Sequence, residues 1–208
     1  MKEQLKAWLD SQTPEQLRAE IDKRKHLQSV DVDGILVPMN DNFVYIEAPN
    51  YVKLPWDQPS IFLAGGITGC ENWQAKATEA LKEIGDVTVV NPRRQNYDVN
   101  GGFDLVKEQI KWEHHYLDRV HQVIFWFSSE TIQPITLFEL GCRLRDYRIV
   151  SRQPLFIGCH PDYARKWDVF IQSSLEGYDM QIKDNLDDLL NNVIEFNRLC
   201  KALRTNSQ

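Results

Sequence analysis

Glu139 stands in the run Pro134-Ile135-Thr136-Leu137-Phe138-Glu139-Leu140-Gly141-Cys142, where the surrounding pattern is apolar and a carboxylate is out of place. An ionised Glu among such residues loses hydration, so it must face a partner, open onto a cleft or carry a raised pKa. Each of these outcomes suits a reactive carboxylate. The plainer alternative is an ion pair with Arg143, one helical turn later, with the apolar residues covering the other faces. A second carboxylate, Glu113, lies in Trp112-Glu113-His114-His115. Two carboxylates suit the breaking of a glycosidic bond. The reacting carbon becomes cationic and meets a nucleophile, while the leaving group gains electrons and takes a proton from an acid. Asp118, near the end of the same segment, is an alternative acid ranked below Glu113. The adjacent histidines make a poor metal site, because neighbours i and i+1 on a helix point in different directions. No metal is expected.

These residues need elements to position them, and from residue 58 onward short apolar stretches alternate with helical segments. Ile61-Phe62-Leu63-Ala64 reads as a strand, about Trp73 to Ile84 as a helix, Val87-Thr88-Val89-Val90 as a strand and about Leu105 to Arg119 as a helix. Gln122 to Phe127 is continuously apolar, as a strand covered on both faces should be. The Glu139 helix follows, then Leu155 to Gly158, a helical stretch around Ala164 to Gln172, a short strand near Gln181-Ile182 and an amphipathic helix from Leu186 to Leu203. This rhythm predicts an α/β fold: a flavodoxin-like open, mostly parallel sheet flanked by helices. Ligands of such sheets bind beyond the C-terminal strand ends. The Gly65-Gly66 loop after the first of these strands would let backbone amides approach a ligand, although such a loop is also an ordinary tight turn. Asn91-Pro92-Arg93-Arg94 brings two guanidiniums to the same rim, able to grip a phosphate or to form a solvated surface pair. Asp98 to Gly102 forms a loop able to act as a lid.

Residues 1–57 read as an accessory extension and 58–205 as the main domain, divided at the proline-rich Leu54 to Pro59. Residues 1 to about 27 read as helical, with Thr13-Pro14-Glu15-Gln16 as a helix start. Ile35 to Pro38 and Phe43 to Ile46 read as a hairpin joined by Met39 to Asn42. With 42% hydrophobic and 26% charged residues, the 208-residue chain suits one globular domain with an appendage. A net charge of -6 gives no general reason to bind duplex nucleic acid, though a local basic pocket could hold one phosphate. Four scattered cysteines and the lack of a long apolar window lead us to expect a cytoplasmic protein with reduced thiols, neither secreted nor membrane-inserted.

In order along the chain, Phe62-Leu63-Ala64-Gly65-Gly66-Ile67, Trp73-Gln74, Asn91-Pro92-Arg93-Arg94, Trp112-Glu113, Val123 to Phe127, Gln133-Pro134-Ile135 and Glu139-Leu140-Gly141 resemble the nucleoside 2-deoxyribosyltransferase-like family. The resemblance covers about residues 60 to 170 and extends neither to the first 55 residues nor to the last helix. It implies cleavage of the N-glycosidic bond of a (deoxy)nucleoside or nucleotide without a cofactor. Glu139 is then the nucleophile that forms a glycosyl-enzyme, and Glu113 assists proton transfer to the departing base. Gly65, Gly66, Asn91, Arg93 and Arg94 would line the sugar and base pocket. It also implies a homo-oligomer. Phe62 replaces a tyrosine that commonly orients the nucleophile, and Gln133 replaces an aspartate that often holds the substrate.

Three activities follow as expectations: transfer of deoxyribose between bases, hydrolysis of a nucleoside 5'-monophosphate, or nucleotide binding without turnover. The two arginines favour a nucleotide-level substrate. Catalysis requires Glu139 ionised and the leaving-group acid protonated, so their surroundings are expected to push the two pKa values apart.

Overall fold

The computed structural model describes residues 29–32, 35–38, 42–98, 100–150, 153–178 and 180–205. They fall into two compact units, one holding a hairpin with the residues from Arg198 onward and the other spanning Asn42–Asn197. In the hairpin, β1 (Ser29–Val32) pairs antiparallel with β2 (Ile35–Pro38), Val30 standing opposite Val37. The helix expected over residues 1 to 27 lies outside the described residues, as does most of the expected turn from Met39 to Asn42.

The larger unit is built on β3 (Phe43–Glu47), β4 (Ser60–Gly65), β5 (Val87–Asn91), β6 (Gln122–Phe127) and β7 (Leu155–Cys159). They lie in the order β3-β5-β4-β6-β7, and every neighbouring pair is parallel. The helices are α1 (Trp73–Leu81, continued by a 3-10 turn over Lys82–Ile84), α2 (Gly102–Leu117), α3 (Pro134–Val150), α4 (Lys166–Leu175) and α5 (Leu186–Thr205). The expected α/β sheet flanked by helices is therefore present.

Alternation along the strands feeds two cores. Phe62, Val123, Phe125 and Phe127 pack with Trp112 and Tyr116 of α2 and Leu140 and Leu144 of α3. Ile61, Leu63, Ile124 and Trp126 pack with Trp73, Ala77 and Leu81 of α1 and with Leu189 and Val193 of α5. Strands buried on both faces need apolar residues at successive positions, which is why Gln122–Phe127 is apolar throughout after its first residue. The same argument corrects the expected hairpin. Phe43–Glu47 does not pair with Ile35–Pro38 but forms the sheet edge beside β5, with Tyr45 opposite Val89. Val44 and Ile46 pack into one core and Phe43 into the other, which a two-stranded hairpin with one covered face could not accommodate. A second correction concerns Gln181-Ile182. Among the described residues a single parallel bridge forms there, between Gly158 and Lys183, before Asp184 and Asn185 lead into α5.

Adjacent β4 and β6 send their connections to opposite faces, β4 into α1 and β6 into α3. That divergence opens a crevice at their C-terminal ends. The loops Gly66–Asn72 and Ser128–Gln133 border it. Along one side, residues after β3 are tied to α2: Trp112 Nε1 donates to the Asn50 carbonyl at 2.8 Å, and the Tyr116 hydroxyl donates to the Val52 carbonyl at 2.9 Å.

Candidate active site

α3 starts at Pro134, whose missing N–H costs nothing in a first turn. Gln133 before it adopts a positive φ of 51° and accepts the Leu137 amide at 3.1 Å. Thr136, Leu140 and Leu144 recur at helical spacing on the buried face, and Glu139 sits at its edge, half-buried. Desolvation pushes its carboxyl up to about 8, Glu113 adds to the rise and Arg143 opposes it. The simple ion pair with Arg143 does not form. Arg143 instead lies 2.6 Å from Asp118 and 3.4 Å from Asp146. Among the described residues no hydrogen bond or ion pair reaches the Glu139 carboxyl. Asp118, held by Arg143 and 3.2 Å from His114, is a structural partner of α3.

Glu113 comes from α2, where Gln109, Trp112 and Tyr116 form the buried stripe. Burial raises its carboxyl, while a hydrogen bond from Gln109 and the nearby Arg94 pull the other way. Both carboxyls are therefore raised. Gln109 donates to Glu113, whereas among the described residues no donor reaches Glu139, and Arg94 and Arg143 act on the two carboxyls through charge alone.

The remaining expected residues divide sharply. Gly65 and Gly66 are required by packing: a Cβ on Gly65 would lie 2.6 Å from the Trp126 carbonyl, and one on Gly66 2.4 Å from Cys70 Sγ and 2.8 Å from Gln133 Cδ. The Gly66 carbonyl accepts from Trp73 Nε1 at 3.1 Å, Gln74 Nε2 at 3.2 Å and Arg93 Nη2 at 3.3 Å. Arg93 Nη2 also reaches the carbonyls of Ile67, Cys70 and Glu71, and its Nε donates to Gln74 Oε1 at 2.9 Å. Its guanidinium thus knits the β4 loop together. Asn91 is held at both ends, donating to the Tyr45 hydroxyl at 2.8 Å and accepting the Arg93 amide at 2.9 Å. Phe62 is 1% exposed and packs on Trp112 with ring centres 6.1 Å apart.

Arg94 differs. One terminal nitrogen meets Glu108 at 2.7 Å, but its Nε is buried without a partner. Gln133 donates through Nε2 to the Ser128 carbonyl at 2.9 Å and leaves its Oε1 buried and unpaired. Such unsatisfied buried groups are uncommon.

Sequence reasoning passed over Gln109, although its place four residues before Glu113 on a helix was the available signal. Gln74 and Tyr45, which position Arg93 and Asn91, carried no local signal. A cavity of about 330 Å³ opens between α3 and α4 over Leu140, Leu144 and Val169, and neither Glu113 nor Glu139 lines it. Among the described residues no group of three or more His, Cys, Asp or Glu is placed to hold a metal, and no helix is long and apolar enough to cross a membrane.

Among known protein families, the model of the nucleoside 2-deoxyribosyltransferase-like family matches residues 58–163, about half of the chain. The matched stretch holds Gly65, Gly66, Asn91 to Arg94, Glu113, Gln133 and Glu139, and it leaves out β3 and α5. No curated protein matches the chain.

Proposed function

We propose that this chain, which belongs to the nucleoside 2-deoxyribosyltransferase-like family, cleaves the N-glycosidic bond of a (deoxy)nucleoside or nucleotide through a covalent glycosyl-enzyme. The observation that carries the reading is the desolvated pair Glu113 and Glu139, brought from α2 and α3 to one sheet rim and close enough for Glu113 to raise Glu139. Glu139 attacks the anomeric carbon as the carbon–nitrogen bond breaks, and the bonding electrons leave with the base, which takes a proton from Glu113. Glu113, now ionised, accepts a proton from the incoming acceptor base or water, whose attack releases Glu139. The pair needs one proton for the first step. In the free protein burial favours the protonated form of both carboxyls, and the positive charge growing at the anomeric carbon favours the ionised Glu139 in the transition state. The machinery calls for no cofactor.

Chromatography of a deoxynucleoside panel with and without acceptor base tests this. New nucleoside formed only with acceptor, and lost in Glu139→Ala, supports transfer. Turnover undiminished in Glu139→Ala refutes the glutamate mechanism.

Hydrolysis of a nucleoside 5'-monophosphate is the second reading, and Arg94 favours it. A nearly buried guanidinium with an unpaired Nε beside the carboxylate pair suits a phosphate. Free base released without acceptor, from monophosphates in preference to nucleosides, would establish this branch. An exposed apolar surface on α3 and α4, formed by Ile135, Phe138, Trp167, Ile171 and Leu175, supports self-association of the chain.

A further inference from the structure

Gln109 is 9% exposed, and its Nε2 donates to the Pro92 carbonyl and to Glu113 Oε1, both at 2.8 Å. A carbonyl only accepts, so the amide cannot be turned over without losing its tie to the loop after β5. With both hydrogens engaged, the group is fixed in plane and in rotation. Its Oε1 is buried and unpaired, a cost that the fold accepts to hold this orientation. Glu113 is faced by Gln109 on its own helix, by Arg94 from the loop after β5 and by Glu139 from α3. Arg94 is itself paired with Glu108, and Arg143, which acts on Glu139, is held by Asp118 and Asp146. Among the described residues the Gln109 amide makes the only hydrogen bond to the Glu113 carboxyl.

We propose that Gln109 is a positioning residue for Glu113: by occupying Oε1 as an acceptor, it forces the transferable proton onto Oε2 and aims that oxygen at the departing base. The inference rests on the glycosidic reading above. The same N–H steadies the ionised Glu113 that the second half of the reaction requires. No residue beyond the carboxylate pair changes its bonding in either step.

The test is the pH profile of base release by the wild type, Gln109→Met and Gln109→Glu. Methionine keeps the length and removes the donor. kcat falls about tenfold with KM nearly unchanged, because the carboxyl no longer presents one oxygen. The alkaline limb of kcat/KM, set by protonated Glu113, moves up by about one pH unit once the stabilising donor is gone. In Gln109→Glu, activity returns as pH falls and the new carboxyl regains a hydrogen to donate. A Met variant that loses activity with its limb in place, or a folded Glu variant equally impaired at every pH, overturns the proposal. Carbon-13 NMR titration of the Glu113 carboxyl separates this from failure of the glycosidic reading. If the wild type releases no base, that reading falls, and an unshifted Glu113 in Gln109→Met overturns the role of Gln109 independently.

Discussion

Arg93 and Arg94 are consecutive, yet they belong to regions built on opposite rules. Around Arg93, the donors and acceptors of Gly66, Gln74 and Asn91 are engaged by the protein itself, with Arg93 alone joining four backbone carbonyls of the β4 loop. Toward α2 and α3, Arg94 keeps an unpaired Nε, Gln109 and Gln133 keep unpaired Oε1 atoms, and Glu139 has no hydrogen bond among the described residues. The first region is a scaffold whose geometry is set before any ligand arrives. The second holds desolvated groups whose partners the protein does not supply, the condition under which pKa values shift and ligands gain most from binding.

This contrast is open to attack at several points. Arg93→Met should be its most damaging variant, lowering stability by about 3 kcal/mol because the carbonyls of Gly66, Ile67, Cys70 and Glu71 lose a charged donor together. Arg94→Met should change melting far less and should weaken monophosphate turnover selectively, by roughly 10- to 100-fold. Denaturant melts of both proteins, set beside nucleoside and monophosphate assays, decide it, and equal destabilisation by the two would erase the distinction.

A smaller effect is expected from Glu139. Its carboxyl is raised from 4.5 to about 8 on folding. The folded protein therefore holds a proton that the unfolded chain releases between those values. Stability from this group is complete below pH 4.5 and declines as pH rises toward 8. Partial exposure keeps the loss to about 2 kcal/mol, below what the full shift would give. Glu139→Gln should flatten this decline in melts across pH 4 to 9, and an identical slope in the two proteins would place Glu139 in water.

The two regions also differ at their glycines. Gly66→Ala should destabilise by about 2 kcal/mol, because its Cβ would collide with Cys70 and Gln133. Gly141, beside the catalytic candidate, has nothing within 4 Å of an added Cβ. In a monomer Gly141→Ala should stabilise α3 by roughly 0.5–1 kcal/mol. A loss of activity coupled to a smaller assembly, read by light scattering, would show that a second copy approaches there.

Most of the sheet was legible because its signals are local. Continuous apolar runs at Ile61–Ala64 and Val123–Phe127 mark strands covered on both sides, and Glu139 was conspicuous against Leu137, Phe138 and Leu140. The expected hairpin failed because strand pairing is chosen across long stretches of chain. Phe43–Glu47 satisfies its ladder with Val87–Asn91, and both of its faces find core there. The hydrogen bonds of Arg93 were not legible, because the charge of a side chain does not reveal that the β4 loop turns its carbonyls inward.

By itself, the sequence determined the alternation of strands and helices, the placement of two carboxylates on successive helices and the glycines at the first loop, since these depend on periodicity and side-chain size. Tertiary structure decided which charged groups have their partners within the protein, which carboxyls are withdrawn from water and which amide reaches Glu113. Those properties depend on desolvation and on contacts such as Arg93 with Gly66, 27 residues apart, that exist only once the sheet is assembled.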